Sequence, residues 1–430
     1  MDIALPYGDR AMAWPLDDTP GDRVLELDYR PGLPDVPGAV RRALREPLAG
    51  PSLAEAIRAQ DTDSALVLVS DITRAVPYHD VLPVLVAELQ AAGLSPSSIA
   101  FLIAQGTHRK HTDHEIARLY GPVAAAGYTF HQHDADAGNV SLGPLHTGNE
   151  LWIDERVVAA EFLVVVGMVT PHYFAGYSGS RKSILPGVAG RETIRACHAR
   201  VLHPSARLAN LVDNVVHHEM VEAARRVGID FDLELVVNDQ REIVGVFGGT
   251  MAAAFAAAVA ACDDLYRVPV PTPADVVVVS AGGYPKDINL YQAQKAVNNA
   301  ALVVAPGGTM ILLAECREGV GSAPFEEWMR RASSIDELVN TPEEAIVLGG
   351  HRAVATARVM QNCEIVVVSD LPRETVEGML FTHAASLTCQ AQREDEARAY
   401  AQAKHGAGAL TYVIPHGGFI LPTVTGPTPP

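Results

Sequence analysis

FLVVVGMVTPHYFAGYSGSRKSILPG, Phe162 to Gly187, is the stretch on which the reading of this sequence turns. Its first eight residues form an apolar run without polar alternation, as expected of a strand buried on both faces of a parallel sheet. The pattern then breaks at Thr170-Pro171 into a glycine- and serine-rich run that carries two adjacent cations, Arg181 and Lys182. In open α/β sheets ligands bind outside the carboxyl ends of the strands, so this loop is a candidate site. A loop of this composition at the end of a buried strand suits an anionic ligand.

Working outward, the same grammar recurs. Apolar, β-branched runs stand at 65–70 (ALVLVS), 99–104 (IAFLIA), 233–238 (LELVVN), 276–280 (VVVVS), 309–314 (TMILLA) and 364–369 (EIVVVS). Segments of 3.6-residue periodicity such as HDVLPVLVAELQAAG lie between them, and the alanine-rich run 251–262 suits a packed helix. The alternation predicts an α/β protein with mainly parallel sheets. At 430 residues the chain exceeds the size at which one core keeps growing, so two domains are expected, and the proline-rich RVPVPTPA (267–274) reads as the linker.

Composition narrows the function. A net charge of −18 argues against sequence-independent binding to nucleic acid or to an anionic membrane surface. No run approaches the ~18 apolar residues of a membrane span, and MDIALPYGDR lacks a signal-peptide pattern, so a cytoplasmic location is expected. Five cysteines (197, 262, 316, 363, 389) with no CxxC pair read as reduced core thiols.

The strand exits hold the chemistry. The 65–70 run leads to Asp71-Ile72-Thr73-Arg74, the 99–104 run to Gln105-Gly106-Thr107-His108-Arg109, and the 276–280 run to Ala281-Gly-Gly-Tyr-Pro-Lys286. Gly176 to Ser183 nearly spells a phosphate loop, G-x-x-x-x-G-K-[ST], but Arg181 replaces the glycine that lets backbone wrap a phosphate. A looser cradle of backbone amides plus Lys182 around one phosphate stays open at this level, and with it a phosphoryl-transfer enzyme or a non-enzymatic nucleotide- or metal-binding protein. His108 and His172, each just after a strand, suit proton transfer, since an imidazole can serve as acid or base near neutral pH. His198 lies in a helical pattern beside the stripe Ile194, Cys197 and Val201, where packing and metal ligation compete. Gln292 and Lys295 share a helix face and read either as solvated or as an amide and an ammonium directed at a carboxylate, with Arg74 as a planar fork.

Together Asp71-Ile-Thr-Arg74, Gly106-Thr-His108, Pro171-His172-Tyr-Phe-Ala-Gly-Tyr-Ser-Gly-Ser-Arg-Lys182 with Leu185-Pro-Gly187, His198, Tyr291-Gln292 and Lys295 resemble the lactate racemase family, over most of the chain and in family order. The resemblance implies an isomerase, a racemase or epimerase of a 2-hydroxyacid that works by reversible hydride transfer. It implies a nickel-pincer nucleotide, Ni(II) pyridinium-3,5-bisthiocarboxylic acid mononucleotide, attached covalently at Lys182, and hence cofactor maturation enzymes as partners. His108 and His172 are then the proton-transferring pair and His198 the nickel ligand. Asp71, Ile72, Thr73, Arg74 and His172 touch the cofactor, and Gln292, Lys295 and Arg74 the substrate. The implied fold is two α/β domains around an active-site cleft: 1–268 binds cofactor, 275–407 contributes substrate-binding residues, and the tail 408–430 returns to the first.

Overall fold

The structure, a computed structural model, describes residues 2–426 apart from 17–18, 75, 343–344, 348 and 385–389. The fold is α/β with mainly parallel sheets, and the chain divides into two units, Tyr29–Leu265 and Met1–Asp28 with Tyr266–Pro430.

In the Tyr29–Leu265 unit a six-stranded sheet runs in the order Ile243–Gly249, Phe231–Val237, Leu163–Met168, Ala65–Ser70, Ile99–Ala104, Thr129–Gln132. All neighbours are parallel except the outer strand Ile243–Gly249. Central strands read as unbroken apolar runs because both faces are covered. Val164, Val165 and Val166 have no exposed surface, and each such burial stabilises by about 1.5–3 kcal/mol. Helices begin where side chains satisfy their first amides. Ser52 and Glu55 form a reciprocal cap on Leu53–Gln60, and Thr112 and Glu115 do the same on Asp113–Ala125.

Strand order decides where a ligand can go. From Ala65–Ser70 the chain proceeds outward through Ile99–Ala104 to Thr129–Gln132, then returns to place Leu163–Met168 on the opposite side of Ala65–Ser70. The order therefore reverses between those two strands, and the crevice outside their carboxyl ends is the topological switch point.

The second unit has an all-parallel sheet in the order Thr382–His383, Glu364–Val368, Val304–Leu313, Ala274–Ser280, Thr411–Ile414, Arg23–Val24. All seven apolar runs of the sequence are strands. The unit boundaries differ from the expected ones at both ends of the chain. Thr411–Ile414 pairs with Ala274–Ser280, and Leu421–Val424 with Arg267–Val270, so the tail from 408 builds the second unit instead of returning to the first. The start of the chain joins it through Arg23–Val24. The physical reason is pairing: Thr411–Ile414 carries Tyr412, Val413 and Ile414, all fully buried in that sheet. Part of the proline-rich linker is likewise a paired strand, Arg267–Val270. Cys197, Cys262, Cys316 and Cys363 are buried free thiols, and Cys389 lies outside the described residues.

Candidate active site

Three strand exits of the Tyr29–Leu265 unit converge. After Ala65–Ser70 the chain makes one 3-10 turn, Ile72–Arg74, closed by Arg74 N donating to Asp71 O at 3.1 Å. Asp71 is buried at 4% exposure, accepts from Thr73 Oγ1 at 2.7 Å, and lies 2.5 Å from His108 Nδ1 through its Oδ2. Burial works against its ionisation, but the hydrogen bond and charge of His108, with Thr73 and Arg74, outweigh that and hold the carboxyl below its usual range. An ionised Asp71 accepts the Nδ1 proton, so the Nε2 of a neutral His108 carries the lone pair. The His108 side chain is about half exposed (52%).

The His108 loop is tied to the lysine loop through Gly106, whose N–H donates to Gly187 O at 2.8 Å. Gly106 has φ +56°, and a Cβ there would sit 3.2 Å from Pro186 O.

After Leu163–Met168 comes a hairpin that pairs Pro171 with Tyr177 and His172 with Gly176. Gly176 is required: φ is +77°, and a Cβ would lie 2.3 Å from Asn210 O. His172 Nδ1 accepts from Ala175 N at 3.3 Å, and its Nε2 is 3.0 Å from Lys182 Nζ. A charged Lys182 Nζ can only donate to that nitrogen. The two histidines thus have different partners, His108 the carboxylate of Asp71 and His172 the amine of Lys182.

Phe174 is the hub. Its ring lies edge-on to His172 at 4.7 Å and to His198 at 5.3 Å, and Lys182 Nζ stands 5.3 Å from its centroid. Lys182 itself is 7% exposed.

His198 falls on the helix Arg191–Ala199, and its Nδ1 bonds Ile194 O at 2.9 Å, which leaves the lone pair on Nε2. Its pKa is pushed down to about 4, first by burial and then by the charge of Lys182, with smaller contributions from His108 and Arg74. Those couplings place Arg74, His108, Lys182 and His198 around one site and keep His198 neutral at pH 7, the state that ligates a metal. Among the described residues no group of three or more His, Cys, Asp or Glu side chains is arranged to hold a metal.

Arg181 corrects the reading of the basic loop. Its side chain points inward, 1% exposed, donates to Ala175 O, Tyr177 O, Ser178 O and His217 Nδ1, and lies over Phe255 at 4.2 Å. It braces the loop and is not an anion-binding cation. The phosphate cradle is likewise not built. Ser178 N donates to Thr170 O, Ser180 N to Glu234 Oε1, Lys182 N to Gly179 O and Ser183 N to Ser180 O, so these amides are turned into the protein.

Gln292 and Lys295 stand in the other unit, on the helix Leu290–Ala300, which Asn289 caps by accepting from Gln292 N at 2.9 Å. Lys295 is exposed and Gln292 partly so.

Sequence reasoning missed Phe174, His111 and the pair Asp232 and Glu234. His111 Nε2 accepts from Ile72 N at 3.0 Å and shapes the Asp71 turn. Its signal was proximity to His108; that of Asp232 and Glu234 was two acids at i and i+2 in an otherwise apolar strand.

A lysine and two histidines gather at the switch point of the Tyr29–Leu265 unit, one imidazole on a carboxylate and one on the amine, an arrangement that suits acid–base chemistry. Comparison with known proteins agrees. The lactate racemase N-terminal domain family matches residues 7–209, and the lactate racemase C-terminal domain family residues 270–421. The chain is 31% identical over 426 residues to the lactate racemase of Lactiplantibacillus plantarum, covering 96% of this chain and 98% of that protein. It is 31% identical over 397 residues to that of Thermoanaerobacterium thermosaccharolyticum, covering 90% and 92%. The apoprotein structure of lactate racemase from Thermoanaerobacterium thermosaccharolyticum superposes with a TM-score of 0.87 at 29% identity, over 98% of this chain and 100% of that one. A Thermotoga maritima protein of 16% identity, with a TM-score of 0.63 over 91% and 97%, shares the fold. The chain belongs to the lactate racemase family, and the similarity supports a racemase. No helix among the described residues is long and apolar enough to cross a membrane.

Proposed function

We propose that this protein is a 2-hydroxyacid racemase or epimerase, an isomerase with His108 and His172 as its proton-transferring pair and a nickel-pincer nucleotide tethered at Lys182. The observation that carries the reading is the contact each histidine makes, His108 with the Asp71 carboxylate and His172 with the Lys182 amine.

The residues present fit the implied cofactor. Lys182 is a buried amine whose neighbours are an imidazole and an aromatic face, surroundings suited to a covalent tether. His198 offers one neutral imidazole nitrogen, and with no other cluster of metal donors among the described residues the remaining ligands would come from the cofactor. When bound, that group supplies reversible hydride acceptance.

The chain's own residues supply the proton chemistry. His108 Nε2 removes the substrate hydroxyl proton, and the Asp71 carboxylate stabilises the imidazolium that results. His172 Nε2 returns a proton on the other side, so either enantiomer can be substrate or product. Arg74 pairs with the substrate carboxylate. Asp71 to Arg74 also line the cofactor site. The reading makes maturation enzymes partners and the cytoplasm the place of work.

The test is intact mass and peptide mapping after co-expression with nickel-pincer maturation enzymes. A nucleotide-sized adduct confined to the Lys182 peptide and absent from Lys182→Ala is expected, with deuterium exchange between 2-hydroxyacid enantiomers in the loaded protein. An unmodified Lys182, under conditions that load a known family member in parallel, would overturn the reading.

A further inference from the structure

Beneath the lysine loop lies a charged group with no part in the chemistry above. Asp232 and Glu234 sit two apart on the strand Phe231–Val237, both with no exposed surface. Ser180, two residues before Lys182, bonds to both: its N–H donates to Glu234 Oε1 at 2.6 Å, and its Oγ lies 2.9 Å from Asp232 Oδ2. Room for the Glu234 carboxyl is made by two glycines. A Cβ on Gly167, its neighbour across the sheet, would lie 2.2 Å from Oε2, and one on Gly179 2.6 Å from Oε1. The remaining oxygens, Asp232 Oδ1 and Glu234 Oε2, are buried without a hydrogen-bond partner.

Charge balance says how such a pair can exist. Arg181 is a fully buried cation whose four hydrogen-bond acceptors are three carbonyls and His217 Nδ1, all neutral. Its countercharge therefore has to come from the carboxyl pair, and Arg181 and Glu234 do interact electrostatically. Two ionised carboxylates would exceed that charge by one in a dry interior, at large cost. One proton between them restores neutrality. The backbone N–H of Ser180 can only donate, and its short bond marks Glu234 as the anion. The Ser180 hydroxyl can donate or accept, so it tolerates an acid at Asp232.

We propose that Asp232 and Glu234 are positioning residues for Lys182 and act as a singly ionised pair, Glu234 carrying the charge and Asp232 the proton. Glu234 pins Ser180 and balances Arg181, Arg181 gathers the carbonyls of 175, 177 and 178, and Lys182 is thereby turned toward His172. Burial raises both carboxyls, Glu234 to about 7 and Asp232 further above its usual value, in the same sense. The other ionisable groups facing the cluster are His217, held neutral, and the buried Tyr78 phenol.

The inference deepens the proposed tethering role of Lys182, yet its test uses the protein without cofactor and is decided separately. Trace acetylation with acetic anhydride, mapped by peptide mass, measures the labelling of Lys182 against exposed Lys110 within one sample. Because unfolding would expose the buried Lys182 while Lys110 is already exposed, the ratio is read only under conditions where circular dichroism and urea titration show each variant fully folded. Asp232→Asn, which mimics the acid, keeps it within about twofold of wild type, whereas Glu234→Gln changes it by about tenfold or more, the scale of lost support around a functional group. Infrared difference spectra of wild type against Asp232→Asn show one protonated carboxyl band lost, a result that stands even where Glu234→Gln fails to fold. Equal effects of the two substitutions, the reverse order, or loss of a carboxylate band in Asp232→Asn would each overturn the proposal.

Discussion

His217 offers a prediction whose size follows from the structure. Its Nδ1 accepts from Arg181 Nε at 2.9 Å, and its pKa is pushed down to about 3, first by burial, then by the charges of Arg181, His218 and Arg225. In the unfolded chain an ordinary histidine titrates near 6.5. Between those values the unfolded state holds one proton more than the folded state, so stability rises with pH, complete above about 6.5 and lost progressively as the pH falls toward 3. The slope is about 1.4 kcal/mol per pH unit and the full term at most about 5 kcal/mol. His217→Asn removes the titration while keeping a carbonyl that can accept from Arg181. The assay is equilibrium urea unfolding from pH 6 to 4, followed by a brief deuterium pulse at fixed pH and mass readout on the Phe231–Val237 peptide. Other titrating groups cancel in the comparison, so the wild-type advantage over the variant should shrink by about 1.4 kcal/mol for each unit the pH falls. Parallel curves for the two proteins would refute a neutral His217 as the acceptor for Arg181.

Two more expectations concern the site directly. Asp71→Asn frees the His108 tautomer and should lower turnover of the loaded enzyme by about 10²–10⁴, the range for loss of oriented acid–base catalysis, with Lys182 still carrying its adduct by mass. Gly176→Ala places a Cβ 2.3 Å from Asn210 O at φ +77°; it should cost about 2 kcal/mol or more, read as a lower urea midpoint, and a midpoint equal to wild type would show that the hairpin can relax.

The strands were legible because buried parallel strands are written as unbroken apolar runs, and the site loops because they follow those runs directly. Asp71, His108, His172 and Lys182 could all be found in this way, and His108 pairs with Asp71 as His172 does with Lys182. The assignment of the ends of the chain was not legible, since a four-residue strand such as Thr411–Ile414 carries no mark of which sheet edge it will join. Arg181 misled for a related reason. Adjacent residues on a short helical turn point in different directions, and only packing shows that Arg181 faces Phe255 and Glu234 while Lys182 faces His172 and Phe174.

By itself, then, the sequence determined the α/β class, the apolar strands and the residue types at their carboxyl ends, all of which depend on local periodicity and on what can be buried. Tertiary structure alone decided the reversal of strand order that gathers three loops, the partners of the two histidines, and the buried charge group under Ser180. Each of those depends on hydrogen-bond partners and dielectric surroundings supplied by segments distant in the chain, as Glu234 is from Ser180 and Asp71 from His108.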